Sequence, residues 1–509
     1  MILTGKKSRR MDVDYSKLPE PILEDHPEWV KLYYTAWELC AAHIRTLTDS
    51  RTYIDTAWDS NRNYQWVWDS CFISLYSRYA PETFPCMGGL DIFYSLQRED
   101  GYIGMTYDFD KMIEPWPNRI NPPLFAWAEW EYYLSTGDSS RFRRVVGHIE
   151  NLMRWIDKNR RTVSHKELAN QHLDEHDRDT SSLNDSFYYF EDTGSSGMDD
   201  APRSPRIPEV GQYFDWIDLS SQMALSFRML SYMNGIIGNG DKSLYWKSRV
   251  EELGGAINKY LWSDNTRFYH DRAVSFNLCA CKSVASFWPM LAGICDNYRI
   301  ACLVDHLLNE REFNRHTPVP ALSADDPNYS PLGGYIASGT WAPTNYMITR
   351  GLAKQGRGDI AHMIAKKYIG VISRTYTNFE PHTLWEGYCN EEDRPCGVPY
   401  SKALSKPDFV GWSGLGPIAM LIENVIGLDI NVPERKINWE INLSEEHGVK
   451  NLSFGEFGRI SLRCKSRRSI EEPAEVIIQS DGDINVQIKR GNKIKRMEAR
   501  TGVEICATI

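Results

Sequence analysis

The sequence predicts a large all-α domain followed by a small antiparallel β domain. Three observations carry this. The first ~430 residues hold about a dozen segments with apolar residues at helical spacing, separated by polar or Pro/Gly-rich loops. After Asp429-Ile430-Asn431-Val432-Pro433 the pattern changes to short alternating runs. At 509 residues the chain also exceeds one ordinary core. The expected division is 1–433 for the helical domain and 434–509 for the β domain.

The helices are expected as follows. Pro27 suits a first turn, and Trp29, Leu32, Tyr33, Ala36, Trp37 and Cys40 follow at helical spacing. Further segments run near Asp69–Tyr79, Leu90–Gln97, Pro122–Thr136 and Ser139–Asn159, the last two parted by Gly137-Asp138. Residues 163–215 read as a long irregular stretch, of the kind that is functional or disordered. Helical patterns resume at Asp218–Ile237, Ser243–Leu261, Val284–Ala292 and Tyr298–Leu308. Residues 311–338 are loop-like, and Thr340–Lys354, Asp359–Thr375 and Gly414–Ile426 complete the set. Asp359 is expected as an N-cap. Paired helices in this number match a barrel of six inner and six outer helices. In the β domain, runs at Lys436–Leu443, Val449–Phe454, Arg459–Lys465, Glu475–Gln479, Asp483–Lys489 and Lys493–Met497 are joined by turns such as Asp481-Gly482 and Gly491-Asn492. A structural role is expected for this domain.

Composition excludes several function classes. The hydrophobic fraction is 42% and the charged fraction 25%, as in soluble globular proteins. A formal charge of −10 argues against general affinity for nucleic acid or anionic lipid. The eleven cysteines are scattered, with no CxxC, so neither a disulfide framework nor a zinc site is expected, and a reducing compartment fits. MILTGKKSRRMDVDY has no apolar run behind its charges and does not read as a secretory signal. No window approaches a membrane span. A cytoplasmic protein with no cofactor or metal is expected.

The candidate chemistry begins at His382-Thr383-Leu384-Trp385-Glu386-Gly387-Tyr388, a single carboxylate between aromatics in a segment that does not read as a helix. A second acid lies in Asp192-Thr193-Gly194-Ser195-Ser196-Gly197-Met198-Asp199-Asp200, where Gly and Ser let the backbone turn tightly, with Arg203 beyond. Alone, Asp-Asp reads first as a solvated acidic loop. Two carboxylates from distant loops are the minimum for glycoside cleavage, one protonated to donate and one ionised to activate water or attack carbon. Tyr64-Gln65-Trp66-Val67-Trp68-Asp69-Ser70 reads as a lead-in to a helix that Asp69 starts, either an N-cap under a Trp-rich core or a sugar platform. Gln97-Arg98-Glu99-Asp100-Gly101-Tyr102-Ile103 is a polar turn, and Ser338-Gly339-Thr340-Trp341-Ala342-Pro343-Thr344-Asn345-Tyr346 opens a helix.

In this order, Trp-x-Trp-Asp-Ser (66–70), Asp-Gly-Tyr-Ile (100–103), Ser-Gly-Met-Asp (196–199), Trp-Ala-Pro-Thr-Asn-Tyr (341–346), Leu-Trp-Glu-x-Tyr (384–388) and Gly-Trp-Ser-Gly-Leu-Gly-Pro (411–417) form a set. The set resembles glycoside hydrolase family 63 and the related trehalase family. It looks most like the short prokaryotic members, which include mannosylglycerate and glucosylglycerate hydrolases. The resemblance implies an (α/α)6 barrel and exo-acting hydrolysis of an α-glycosidic bond with inversion. α-Glucose is the family's common sugar, and α-mannose occurs among the short members. It implies Asp199 as general acid and Glu386 as general base. It carries over Trp66, Trp68 and Asp69 as lining of the sugar pocket, with Gln97, Trp341, Asn345, Tyr346, Trp385 and Trp412 as walls. Asp100, Gly101 and Arg203 are counted with these binding residues. Where the family often has Asn after the acid, this chain has Asp200, whose charge would raise the pKa of Asp199; either Asp could then be the donor. Rival readings are a phosphorylase or lyase on the same kind of barrel, and a glycan-binding protein without turnover.

Overall fold

The computed structural model describes residues 13–57, 62–161, 187–203, 214–273, 277–398 and 403–509. Expectations placed on residues 1–12, 162–186 and 204–213 lie outside the described residues. The protein is a helical domain with a C-terminal region of antiparallel sheet.

The helices stand close to where apolar periodicity puts them: α1 Pro27–Ala42, α2 Val67–Ser77, α3 Gly88–Ser95, α4 Phe125–Thr136, α5 Ser140–Asn159, α6 Ile217–Ile236, α7 Gly240–Tyr260, α8 Trp288–Ala292, α9 Asn297–Leu308, α10 Ala342–Lys354, α11 Gly358–Asn378 and α12 Gly416–Ile426. In α1 the buried residues include Trp29, Leu32, Tyr33, Ala36, Trp37 and Cys40, the face its spacing predicts. Gly137 ends α4 in the left-handed conformation at φ 78°, where a side chain is disfavoured. Two expectations are corrected. Asp359 is not the cap of α11: Arg357 is, and Asp359 sits in the first turn with its carboxylate 3.3 Å from the Arg357 Nε. The last helix is wound as a π-helix rather than an α-helix, a difference to which apolar periodicity over so short a run is blind.

Burial separates two kinds of helix. Every residue of α2, α8 and α12 is buried, and so is α10 from Ala342 to Leu352. In contrast α5 buries one stripe, including Phe142, Val145, Val146, Ile149, Leu152, Met153 and Ile156, and faces water with the other. The four buried helices and the largely buried α4 and α6 neighbour one another in sequence order. α2 packs on α4, α4 on α6, α6 on α8, α8 on α10, α10 on α12, and α12 on α2.

An ion network ties four of them together. Arg78, at the end of α2, reaches Glu131 of α4 at 2.5 Å and Glu423 of α12 at 2.7 Å. Arg350 of α10 reaches the same two carboxylates at 2.8 and 3.1 Å. Tyr79 and Tyr346 donate to Glu423 at 2.7 and 3.0 Å. Two guanidiniums around two carboxylates leave little charge uncompensated, which is the condition for burying ions at all.

The sheet region begins with β1 Glu20–Leu23, far upstream. Within the helical domain β2 Tyr64–Trp66 pairs with β3 Thr106–Asp108. The C-terminal strands are β4 Leu428–Asn431, β5 Lys436–Glu440, β6 His447–Ser453, β7 Arg459–Cys464, β8 Glu475–Ser480, β9 Ile484–Arg490, β10 Lys493–Ala499 and β11 Ile505–Thr508. They form one sheet in the order β1-β6-β7-β8-β11 and another in the order β4-β5-β9-β10. Pairing is antiparallel except between β5 and β9. The alternation read in the sequence is the burial alternation observed, as in β7, where Ile460, Leu462 and Cys464 point inward. Strands β1 and β4 bring residues from before 434 into these sheets, so the sheets do not begin at that boundary.

Gly427 joins α12 to β4 at φ 90°, and a Cβ there would lie 2.0 Å from the Glu440 carbonyl oxygen. Neither the dihedral nor the space admits a side chain. Gly427→Ala is expected to lower the urea midpoint clearly, by about 2 kcal/mol or more of stability. A midpoint like that of the parent protein would contradict this description of the joint.

Candidate active site

The candidate residues sit in segments that lead into the N-termini of the buried helices. Trp66 precedes α2, the Asp199 loop precedes α6, Trp341 precedes α10, and the 384–413 segment precedes α12. Helix N-termini carry partial positive charge, a setting that favours carboxylates.

Glu386 lies on irregular chain stitched from both sides. Its N–H donates to the Lys406 carbonyl at 2.8 Å, and its carbonyl accepts from Trp412 Nε1 at 2.7 Å. Tyr388 and Thr340 exchange backbone hydrogen bonds at 2.9 and 3.0 Å. Gly387 leaves room for the Trp341 ring, which a Cβ would meet at 2.9 Å. The Glu386 side chain is only 5% exposed. Its Oε1 accepts from the Tyr335 hydroxyl at 2.9 Å and its Oε2 from the Lys406 N–H at 3.1 Å. Burial raises the pKa of this carboxyl, and these two donors and the Lys406 charge pull against the rise.

Asp199 is the second acid. Its loop is held by an internal set of hydrogen bonds: the Asp192 carboxylate accepts from the Ser195 N–H at 2.8 Å, and the Ser196 hydroxyl donates to the Thr193 carbonyl at 2.7 Å. Gly197 turns at φ 74°, and a Cβ there would press on the Trp68 ring at 3.0 Å. Asn121 ties this loop to α2, donating to the Ser195 carbonyl at 3.1 Å and accepting from the Trp68 N–H at 3.3 Å. Asp199 and Asp200 are both exposed to water. Burial is the first cause that lifts the Asp199 carboxyl to about 7, followed by the charges of Asp200, Glu386 and Asp192. Asp200 is pushed up to about 6 by burial, against the pull of its own backbone N–H and then of those of Ala337 and Ile336. The charge of Glu386 acts on Asp199 but is not among the causes that move Asp200.

Asp69 is the third acid. It is 5% exposed and lies in the first turn of α2, two residues inside the helix that it was expected to start. Its carboxyl is raised well above the ordinary range by burial and then by the charges of Glu386 and Asp199. Gly411 lies close against it, since a Cβ there would stand 2.4 Å from Oδ1. An apolar cavity adjoins this group, with Trp68, Gly197, Met198, Ile336, Trp341 and Trp412 among its walls.

Of the residues named from the sequence, Asp199, Glu386, Asp69, Trp68, Trp341 and Trp412 therefore come together. Trp66 stands beside them, stacked on Trp116 with centroids 5.4 Å apart. The others have contacts that lead elsewhere. Gln97 donates to the Gly101 and His148 carbonyls at 2.9 and 2.8 Å. Asp100 accepts from Trp155 at 3.2 Å and pairs with Arg98, and Gly101 packs on the Asn151 backbone. These residues dock a turn on α5. Arg203 is sealed between Asp218 and Asp271, 2.7 Å from the latter. Tyr346 belongs to the buried ion network, and Asn345 donates to the Val319 and Trp341 carbonyls at 3.3 and 3.1 Å. Trp385 packs edge-on against Phe379 with centroids 5.8 Å apart. Sequence reasoning passed over Asn121, Lys406 and Tyr335. The pair Gly333-Gly334 before Tyr335 was the available signal of an unusual backbone.

Among the described residues no group of three or more His, Cys, Asp or Glu could hold a metal ion, and no helix is long and apolar enough to cross a membrane.

Comparison with known proteins identifies relatives of the chain. Residues 62–409 match the mannosylglycerate hydrolase MGH1-like glycoside hydrolase domain. An uncharacterised protein of Borreliella burgdorferi is 27% identical over 421 residues, covering 81% of this chain and 82% of its own. The cytosolic neutral trehalase of Neurospora crassa is 24% identical over 196 residues, which are 34% of this chain and 24% of that one. The GH63 mannosylglycerate hydrolase of Thermus thermophilus, solved with glucose, has the same fold with a TM-score of 0.59 at 17% identity, over 76% of this chain and 99% of that one. The GH78 family rhamnosidase of a Bacillus species aligns over 94% of this chain and 43% of its own, with a TM-score of 0.62 at 14% identity. The chain belongs to the mannosylglycerate hydrolase MGH1-like glycoside hydrolases of family 63 and is related to the trehalases.

Proposed function

We propose that the protein is an exo-acting, inverting α-glycosidase, with α-glucosides as its first substrate class. The observation that carries this is that Asp199 and Glu386, from distant loops, stand close enough for the charge of Glu386 to act on Asp199, beside a cavity walled by Trp68, Trp341 and Trp412. Asp199, held at about 7, protonates the glycosidic oxygen. Glu386 is gripped by two donors that favour its ionised form, and takes a proton from the attacking water. Asp199 is preferred to Asp200 because the charge of Glu386 acts on Asp199 and is not among the causes that move Asp200. Trp66, Trp68, Asp69, Trp341 and Trp412 form the sugar pocket, with flat rings for sugar faces and Asp69 for hydroxyls. The sequential neighbourhood of α2, α4, α6, α8, α10 and α12, returning to α2, supports an (α/α)6 barrel. Residues 1–433 and 434–509 are proposed as the catalytic and accessory domains, with β1 and β4 lent to the latter.

Glucose in the related Thermus structure supports the choice of sugar, and D-glycerate in another structure of that enzyme keeps glycosylglycerates in the screen. A phosphorylase would want a free cation near the base. Arg394 is a poor one, since it pairs with Glu392 at 3.6 Å and lies over Phe379; the cation whose charge does act on the base is Lys406, so the assay is run with and without inorganic phosphate. All eleven cysteines are free, which fits the reducing cytoplasm as the proposed location.

The test is a panel of α-linked disaccharides and glycosylglycerates assayed across pH. The acid must be protonated, so activity falls as pH rises through the Asp199 value of about 7. The base must be ionised, so activity also falls as pH drops through the Glu386 pKa, which burial places above the ordinary carboxylate value. A narrow bell on the acid side of neutrality is expected. A flat profile to pH 9, or release of sugar phosphate only, would overturn the reading.

A further inference from the structure

The segment that leads into α4 holds the acid loop at two points. Arg119 Nη2 forms an ion pair with Asp192 Oδ2 at 2.9 Å. Two residues on, the buried Asn121 ties the Ser195 carbonyl to the Trp68 N–H. Inside the loop the hold is passed to the acid. The other Asp192 oxygen accepts from the Ser195 N–H at 2.8 Å, and the Thr193 carbonyl accepts from the Ser196 N–H at 3.0 Å. The buried Thr193 hydroxyl then donates to the backbone carbonyl of Asp199. One ion pair, one step of chain and one hydrogen bond therefore join Arg119 to Asp199. Arg119 is itself fixed by the polar turn at 97–103. The hydroxyl of the buried Tyr102 lies 2.8 Å from the Arg119 carbonyl, which also accepts from the Met105 N–H at 2.8 Å. The turn is fastened to α5 through Gln97 on the His148 carbonyl and Trp155 on the Asp100 carboxylate. The contacts thus run without a break from α5 to the acid.

We propose that Arg119 and Thr193 are positioning residues for the general acid: Arg119 latches the acid loop, and Thr193 carries that hold to the Asp199 backbone. This rests on Asp199 being the acid. A proton donor must come within about 2.6–3.2 Å of the atom it protonates. Asp199 lies on irregular chain, so its aim is set by whatever fixes the loop. The latch contributes little to stability, since the Arg119 and Asp192 side chains are 42% and 28% exposed. Its effect is on where the loop sits. The turn at 97–103 then serves the site indirectly, by bracing Arg119.

The experiment compares an α-linked disaccharide with an α-glycosyl fluoride for the parent protein, Arg119→Met, Thr193→Val, Thr193→Ser and Asp199→Asn. Circular dichroism checks each fold. Fluoride leaves without a proton, so only the disaccharide depends on where Asp199 points. Arg119→Met and Thr193→Val should each lower kcat on the disaccharide about ten-fold, with KM nearly constant. On the fluoride, kcat should stay within about two-fold of the parent value. Thr193→Ser keeps the hydroxyl and should restore most of the disaccharide rate. Arg119→Met combined with Thr193→Val should lose less than the product of the two single losses, because both act along one path. Equal losses on the two substrates would mean that these residues only hold the fold, and would overturn the proposal. So would an undiminished disaccharide rate, or a Thr193→Ser variant as slow as Thr193→Val. Asp199→Asn tests the underlying reading: if it fails to separate the two substrates, Asp199 is not the acid and the proposal falls with that assignment. If Asp199→Asn separates them and the other variants do not, the acid stands and only the latch is lost.

Discussion

Glu386→Gln should abolish turnover of an α-linked disaccharide while the protein still binds it. The side chain keeps its volume, its one oxygen can still accept from the Lys406 N–H and its amide NH2 can donate to the Tyr335 hydroxyl, so the pocket survives and the proton acceptor does not. General acid or base catalysis supplies about 10²–10⁴-fold in rate, and a loss of at least 10³-fold in kcat is expected, with Kd by calorimetry within a few-fold of the parent. Asp199→Asn should be similarly damaged on disaccharides but not on α-glycosyl fluoride, whose leaving group needs no proton. Glu386→Gln should remain dead on the fluoride, because water still has to be activated. That split assigns the two roles separately. Equal rescue of both variants, or of neither, would contradict the assignment.

Arg350→Met should be among the most destabilising single changes in the helical domain. Arg350 is buried and bridges Glu131 at 2.8 Å to Glu423 at 3.1 Å. Removing it leaves two buried carboxylates sharing Arg78, with Lys354 in reach of Glu131 only, at 3.0 Å. Breaking a buried ion pair from one side costs about 3–5 kcal/mol. The site itself is untouched, so any folded fraction should keep its pH profile. Lys354 is 31% exposed at its side chain, and Lys354→Met should cost about 1 kcal/mol or less. Urea midpoints followed by circular dichroism make the comparison. Equal, small effects for both would mean that the network does not hold α2, α4, α10 and α12 together.

The helical domain was legible because its signal is local. Apolar spacing placed α5 and α6 within a residue or two, since a helix writes its buried face into the sequence. What depends on partners far away in the chain was not legible. Strand β1 pairs with β6 from the other end of the molecule, and Glu20–Leu23 alone carries too few alternations to be read as a strand. β4 and β11 are short for the same reason. In the site, Asp199 and Glu386 stood out because carboxylates beside Gly, Trp and Tyr are uncommon. The polar turn at 97–103 stood out equally, yet its side chains serve α5. Composition cannot tell a turn that binds a ligand from one that docks a helix. Tyr335 was missed because its importance lies in backbone geometry and in one hydrogen bond across the pocket.

The most direct measurement is proton NMR of the first turnovers on an α-linked disaccharide, fast enough to precede mutarotation. A single displacement with Asp199 as acid and Glu386 as base delivers the β-anomer first, and the α signal grows only as the sugar equilibrates. If the α-anomer appears first, Glu386 or a neighbouring carboxylate has attacked the sugar, and the assignment of Glu386 as a base acting on water is wrong.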